Sequence, residues 1–196
     1  MIVLCRHGET ATNKAGRLQG RSDASLTDLG RVQAAALADR LAPALPSVLV
    51  ASPARRAQET AAALGERVGL PVIVDEAFIE LDYGAWDGLP VGDPSIPWDR
   101  WRADPGLRPP GGESLVDLRA RVTAGCEALV DQHGRDAVVV VVTHVSPIKA
   151  AVVWATGAND GITWRMHLDL ASITRVRLWP DGTPYLTGYN DTAHLQ

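Results

Sequence analysis

Three short polar clusters in this chain each follow an apolar run directly. Arg6-His7-Gly8 comes after Met1 to Cys5, Ser52 to Arg56 after Ser47 to Ala51, and Thr143-His144 after Ala137 to Val142. Apolar runs of this length read as buried strands. If those strands are parallel, all three clusters lie on one rim, where open α/β sheets hold their ligands. Two guanidiniums, Arg6 and Arg56, then meet two imidazoles, His7 and His144. That set suits a dianionic oxyanion, because arginine binds phosphate through a planar two-pronged fork. His7 is the candidate nucleophile of a phosphoryl transfer. The neighbouring cations disfavour its protonated form, and a carbonyl in the Gly8 turn can hold its second nitrogen. Arg6, Arg56 and His144 would stabilise the equatorial oxygens, with His144 protonated when phosphate is bound. Asn13 would donate one further hydrogen bond.

The elements that must position these residues are legible in order. Met1 to Cys5 is the first strand, and residues 8–25 form a polar loop over the site. Thr27 caps a helix whose apolar positions are Leu29, Val32, Ala36, Leu37 and Leu41, ended by Pro43 and Pro46. A strand over Ser47 to Ala51 follows. Ser52-Pro53 reads as cap and first position of a helix running to Val68, and Ser146-Pro147 as the same device for a helix running to Ala155. Both would add free backbone N–H groups to the site. Pro71 to Val74 is a short strand, and Ala137 to Val142, the most apolar one, belongs at the centre of the sheet. Residues 79–114, rich in Pro, Gly, Asp and Trp, break the pattern; they read as an excursion with a short helix at Trp98 to Ala103. A helix capped by Ser114 carries Leu115, Leu118, Val122, Cys126, Leu129 and Val130. Two late strands, Ile173 to Leu178 and Pro184 to Gly188, flank the turn Asp181-Gly182 and form a hairpin. The expected fold is a three-layer α/β/α sandwich. Its sheet is mostly parallel with at least one antiparallel strand.

At 196 residues the chain fits one domain, 1–196. Its composition, 46% hydrophobic and 21% charged, is that of a soluble globular protein, and a net charge of −4 argues against a nucleic-acid partner. No run approaches a membrane span, and the start of the sequence leads one to expect no signal peptide and a cytoplasmic location. Cys5 and Cys126 read as small buried hydrophobes.

The chain also resembles the phosphoglycerate-mutase-like branch of the histidine phosphatase superfamily. Matching residues, in order, are Arg6-His7-Gly8-Glu9-Thr10, Asn13, Leu18 to Asp23, Leu26 to Gly30 with Gln33-Ala34, Ser52-Pro53 with Arg56-Ala57 and Thr60-Ala61, Glu80 with Tyr83 to Trp86 and Gly88, Pro110 to Ser114, and Thr143-His144 with Pro147-Ile148. The set covers about the first three quarters of the chain. The resemblance implies a phosphohistidine enzyme that needs no metal and no cofactor. It makes Glu80 the proton donor and later the activator of water, where the residues alone would leave an exposed loop carboxylate; Asp82 is its rival. It places Gln19, Gly20, Tyr83 and Val145 beside the substrate with Arg6, Asn13, Arg56 and His144, and puts Arg21 in the loop above them.

For Trp86, Trp98 and Trp101 packing is the stronger expectation. Arg55 reads as a solvated charge, and His133, His167 and His194 as structural or exposed. The leading function is a phosphomonoesterase acting on a small phosphorylated metabolite through a phosphohistidine. A phosphoglycerate mutase and a non-catalytic phosphate-binding module are the alternatives, with homo-oligomerisation left open. A metal hydrolase built on His7, Glu9 and His144 is disfavoured by the flanking guanidiniums. Against the mutase, residues 81–110 hold only Arg100, Arg102 and Arg108 as cations, where the resemblance implies a longer, more basic insertion. Which phosphomonoester is used is not written in the sequence.

Overall fold

Successive side chains on a strand point to opposite faces, and here both faces are apolar. Ile2 and Leu4, with Val139 and Val141, face one core; Val3 and Cys5, with Val140 and Val142, face the other. A sheet buried on both sides must carry helices on both sides. The computed structural model describes residues 1–196 and shows such a sandwich. Strands β1 (Ile2–Arg6), β2 (Val48–Ala51), β3 (Val72–Val74), β4 (Val139–Thr143), β5 (Ile173–Leu178) and β6 (Pro184–Asp191) form one sheet in the order β3-β2-β4-β1-β5-β6. β3, β2, β4 and β1 are mutually parallel, and β5 pairs antiparallel with both β1 and β6.

Helices α2 (Asp28–Leu41) and α3 (Arg55–Val68) cover one face through Leu37, Ala38, Leu41, Ala57, Ala61 and Leu64. Helices α5 (Leu115–His133) and α6 (Val145–Thr156) cover the other, with Phe78 and the excursion's Leu81, Trp86 and Trp101 packed beside them. That excursion contains the short helix α4 (Trp98–Ala103), at the bounds read from the sequence, and Ser114 caps α5 in a reciprocal box with Asp117. Residues 8–25 are not all loop: a four-residue helix, α1 (Ala11–Lys14), is capped by Thr10. Cys5 and Cys126 are unpaired and buried, and burial pushes both thiols up to about 12. No helix is long and apolar enough to cross a membrane.

Two sequence expectations need correction. Leu29 and Val32 do not line the core but are exposed; the buried face of α2 is Gly30, Ala34, Leu37, Ala38 and Leu41. The helix is rotated because Gly30 lies against the backbone of Glu9 and Gly8, a contact that leaves no room for a Cβ. Neither serine–proline pair caps a helix. α3 begins two residues after Pro53 with Ala54 at its cap, and α6 begins with His144 at its cap, leaving Ser146 inside the first turn.

Candidate active site

The register of the parallel strands brings the three polar clusters together. Cys5 and Ala51 both stand opposite Val142, so the next residues, Arg6, Ser52 and Thr143, lie at one level at the strand ends. The His7 N–H then bonds the Thr143 carbonyl at 3.0 Å, and the Ser52 N–H bonds the Val142 carbonyl at 2.9 Å. The rings of His7 and His144 stand 5.1 Å apart, edge to face.

His7 is 3% exposed. Its Nδ1 lies 2.7 Å from the Gly8 carbonyl. A carbonyl can only accept, so Nδ1 carries the proton and Nε2 keeps its lone pair. Burial first, then Arg56 and Arg6, hold this imidazole well below its ordinary value, so it is neutral near pH 7. The turn is braced from below: the Gly8 N–H donates to Thr60 Oγ1 at 3.1 Å, and that hydroxyl donates to the Arg56 carbonyl at 2.7 Å.

Arg56 is fully buried. Its Nε donates to His144 Nδ1 at 3.2 Å, and its terminal nitrogens donate to the carbonyls of Gln19, Gly20 and Ser22. In this arrangement the guanidinium ties the loop over the site to the sheet rim. His144 Nδ1 accepts from Arg56, so Nε2 bears the proton and faces Ser52 Oγ at 2.7 Å. Burial, Arg56 and His7 hold the ring well below its ordinary value. His144 is therefore neutral in this arrangement; the protonated ring expected from the sequence belongs to the phosphate-bound site. Ser52, read as a helix cap, instead holds this ring.

Glu80 is buried rather than the exposed loop carboxylate that its neighbours suggest. Its Oε1 accepts from the Leu81 N–H at 2.7 Å and the Ser146 N–H at 3.3 Å. Desolvation raises its pKa against those bonds and against Arg56 and Arg6. Arg121 fixes the segment by donating to the carbonyls of Ala77 and Glu80 while gripping Glu113 with two nitrogens. The rival Asp82 caps the Gly84 N–H at 2.8 Å and faces Arg21.

A cavity of about 290 Å³ opens beside these groups, lined by Arg6, His7, Asn13, Gln19, Glu80, Tyr83 and Val145 among others. Arg56, His144 and Gly20 are not among its lining residues, though the His144 ring stands beside His7 and Arg56 is hydrogen-bonded to that ring. A Cβ on Gly20 would strike the Leu81 carbonyl and Tyr83, so glycine is required for loop and excursion to touch. Arg21 does not reach the cavity; it lies 3.9 Å from both Asp82 and Glu113. Trp98 and Trp101 line it while packing on one another, and Trp86 packs behind Trp101. Arg55 is exposed and pairs with Glu59. His133 and His167 are exposed, and His194 bonds the Ala171 carbonyl. Glu9 turns away to accept from Thr27 Oγ1 at 2.8 Å, and no three His, Cys, Asp or Glu residues gather into a group that could hold a metal ion. Sequence reasoning missed Lys149, Thr163 and Trp164 in the cavity wall. Lys149 was within reach, since it sits one helical turn after Val145; Trp164 and Thr163 come from an irregular segment with no sequence signal.

Known proteins match this chain over its length. A bifunctional protein of Mycobacterium tuberculosis is 36% identical over 99% of the chain, which spans about half (54%) of that protein. Phosphoserine phosphatase 1 of Hydrogenobacter thermophilus is 32% identical over 99% of the chain and 93% of its own length. Among solved structures, a mycobacterial glucosyl-3-phosphoglycerate phosphatase in complex with VO3 superposes with a TM-score of 0.89 at 35% identity, covering 97% of this chain and 98% of its own. The sequence model of the histidine phosphatase superfamily (branch 1) matches residues 2–192, and the chain belongs to that superfamily.

Proposed function

We propose that the chain is a phosphomonoesterase that hydrolyses a small phosphorylated metabolite through a phosphohistidine on His7. The observation that carries this reading is the state of His7: neutral, its Nδ1–H held by the Gly8 carbonyl, its Nε2 free beside two guanidiniums. Attack of that nitrogen on phosphorus breaks the ester bond, and the leaving alkoxide takes a proton from Glu80. The raised pKa of Glu80 keeps the proton available. Water, deprotonated by the same carboxylate, then cleaves the phosphorus–nitrogen bond. Arg6 and Arg56 balance the charge of the transferring group, and Asn13 and Gln19 lie within the same wall. The relatives named for phosphatase activity on phosphoserine and glucosyl-3-phosphoglycerate support a small phosphorylated metabolite as substrate. The low cation content of residues 81–110 supports hydrolysis over mutase chemistry. Residues 1–196 would act as one catalytic unit, with a location in the cytoplasm.

Rapid quenching with a labelled phosphomonoester tests the proposal. An acid-labile, base-stable phosphoenzyme that is absent from His7→Ala is expected, with stoichiometric phosphate release. An acid-stable adduct, or interconversion of phosphoglycerates with little free phosphate, contradicts it.

A further inference from the structure

Arg6 faces the cavity from the end of β1, yet its placement depends on residues far along the chain. Its side chain makes a single hydrogen bond, from Nη1 to the Leu168 carbonyl at 2.7 Å, and its buried Nε has no partner. Residues 168–172 also hold the backbone on both sides of that guanidinium. The Ser172 carbonyl accepts from the Arg6 N–H, and the Ala171 N–H donates to the His7 carbonyl, both at 3.1 Å. This segment lies outside every helix and strand. Within it Ala171, fully buried, stands at a φ of 52°, in the left-handed region that alanine avoids. Such a conformation persists only where the surroundings enforce it.

The enforcing contacts come from residues 189–194, at the end of β6 and in the short helix Ala193–Leu195. The Tyr189 hydroxyl donates to the His167 carbonyl at 2.6 Å. Asn190 Oδ1 accepts from the Asp169 N–H at 2.7 Å, and its Nδ2 donates to Asp169 Oδ2 at 2.8 Å. His194 Nε2 donates to the Ala171 carbonyl at 3.0 Å. The Asp169 N–H and the Leu168 carbonyl belong to one planar peptide unit. Asn190 therefore grips one edge of the peptide whose other edge grips Arg6. None of these residues lies in the motifs that carry the family resemblance, which end at Ile148, and His194 lies beyond the residues 2–192 matched by the family model. We propose that residues 189–194 form a strap that positions the Arg6 guanidinium for the phosphoryl group, with Asn190 and His194 as positioning residues. The proposal rests on the phosphomonoesterase reading, which gives Arg6 its task.

Vanadate binding, measured by calorimetry, tests the strap without turnover. The proteins are the parent, Asn190→Gly, Arg6→Ala and the double variant. Glycine keeps the positive φ of Asn190, 53°, so only the side-chain bonds are lost. Arg6→Ala should weaken vanadate by about tenfold or more, the scale of one charge-assisted hydrogen bond. Asn190→Gly should weaken it by about threefold or more, and should add nothing in the Arg6→Ala background, because the two act as one unit. An unchanged affinity in Asn190→Gly overturns the strap. So does an equal loss with and without Arg6, which is what general loosening of the fold would give. Should Asn190→Gly not fold, His194→Ala and His194→Gln replace it: the alanine variant should weaken vanadate and the glutamine variant, which keeps a donor, should restore most of it. Equal affinities in those two variants overturn the strap. Turnover of an aryl phosphate by the parent is measured in parallel. Its absence counts against the phosphatase reading alone, whereas turnover without coupling between positions 6 and 190 counts against the strap alone; a parent that binds no vanadate overturns both.

Discussion

Glu80 and Arg56 are the side chains whose surroundings most constrain what they can do. Glu80 has a folded pKa raised above its unfolded value by burial. The stability tied to its proton is therefore fully present below the ordinary carboxylate range and is lost as pH rises through the raised folded value. Glu80→Gln should melt higher than the parent at pH 7–8 and lose that advantage on acidification; calorimetric scans across pH check it. The same substitution should cost an alkyl phosphate much more rate than an aryl phosphate, whose leaving group needs less protonation. In kcat/KM the alkaline limb should disappear with Glu80→Gln. The acid limb, set by His7, should lie below the ordinary histidine range. Arg56→Ala should lower kcat by about 10²–10³, on the scale of losing one oxyanion donor. It also frees three loop carbonyls and His144. Arg55→Ala, one residue away but exposed, should change activity little. Similar losses from the two substitutions would show that the charge, rather than this buried geometry, matters.

At the scale of elements, the site depends on how two segments meet the sheet rim. The loop after β1 lies on α2, with the backbone of Gly8 and Glu9 seated on Gly30. Gly30→Ala cannot be accommodated without moving that loop, and with it the Gly8 carbonyl that orients His7. Helix content should be nearly unchanged while kcat falls by at least about tenfold, since small misplacements of reacting groups cost this much or more. Circular dichroism and steady-state rates distinguish the two effects. The excursion is anchored at its far end by the start of α5. Ser114→Ala removes its capping box and should cost about 1 kcal/mol in urea unfolding, with little effect on the chemical step.

The whole molecule concentrates positive charge at one rim of a chain whose net charge is −4. Arg6, Arg56 and Lys149 approach the cavity without a carboxylate bound to any of them; all three donate to backbone carbonyls instead. An anion that enters relieves their mutual repulsion. Vanadate at about 100 times its dissociation constant should raise stability by about 2.7 kcal/mol. The gain should shrink in high salt and in Arg6→Ala. Thermal shift at increasing vanadate concentration, in low and high salt, measures this. A gain unaffected by salt or by Arg6→Ala would place the anion elsewhere.

The sequence by itself determined the order of elements and the convergence of Arg6, His7, Arg56 and His144. Both follow from local rules: apolar runs of strand length, helical spacing, and polar residues placed directly after parallel strands. Thr27, Ser114 and the Asp181-Gly182 turn were legible for the same reason, since caps and turns act within a few residues. The role proposed for Glu80 comes from resemblance, because nothing local distinguishes it from Asp82; only the docking of its segment against α6 and Arg121 buries one and leaves the other beside Arg21. Tertiary contact also decided the rotation of α2, where a close approach to Gly30 outweighed the burial of Leu29 and Val32. It turned Ser52 from a cap into a partner of His144, because the strand end sets that serine against the ring before the helix can begin. The wall made by Lys149, Thr163 and Trp164 joins a helix to irregular chain 14 or 15 residues later. Such pairings have no period, so only the folded chain could bring them together.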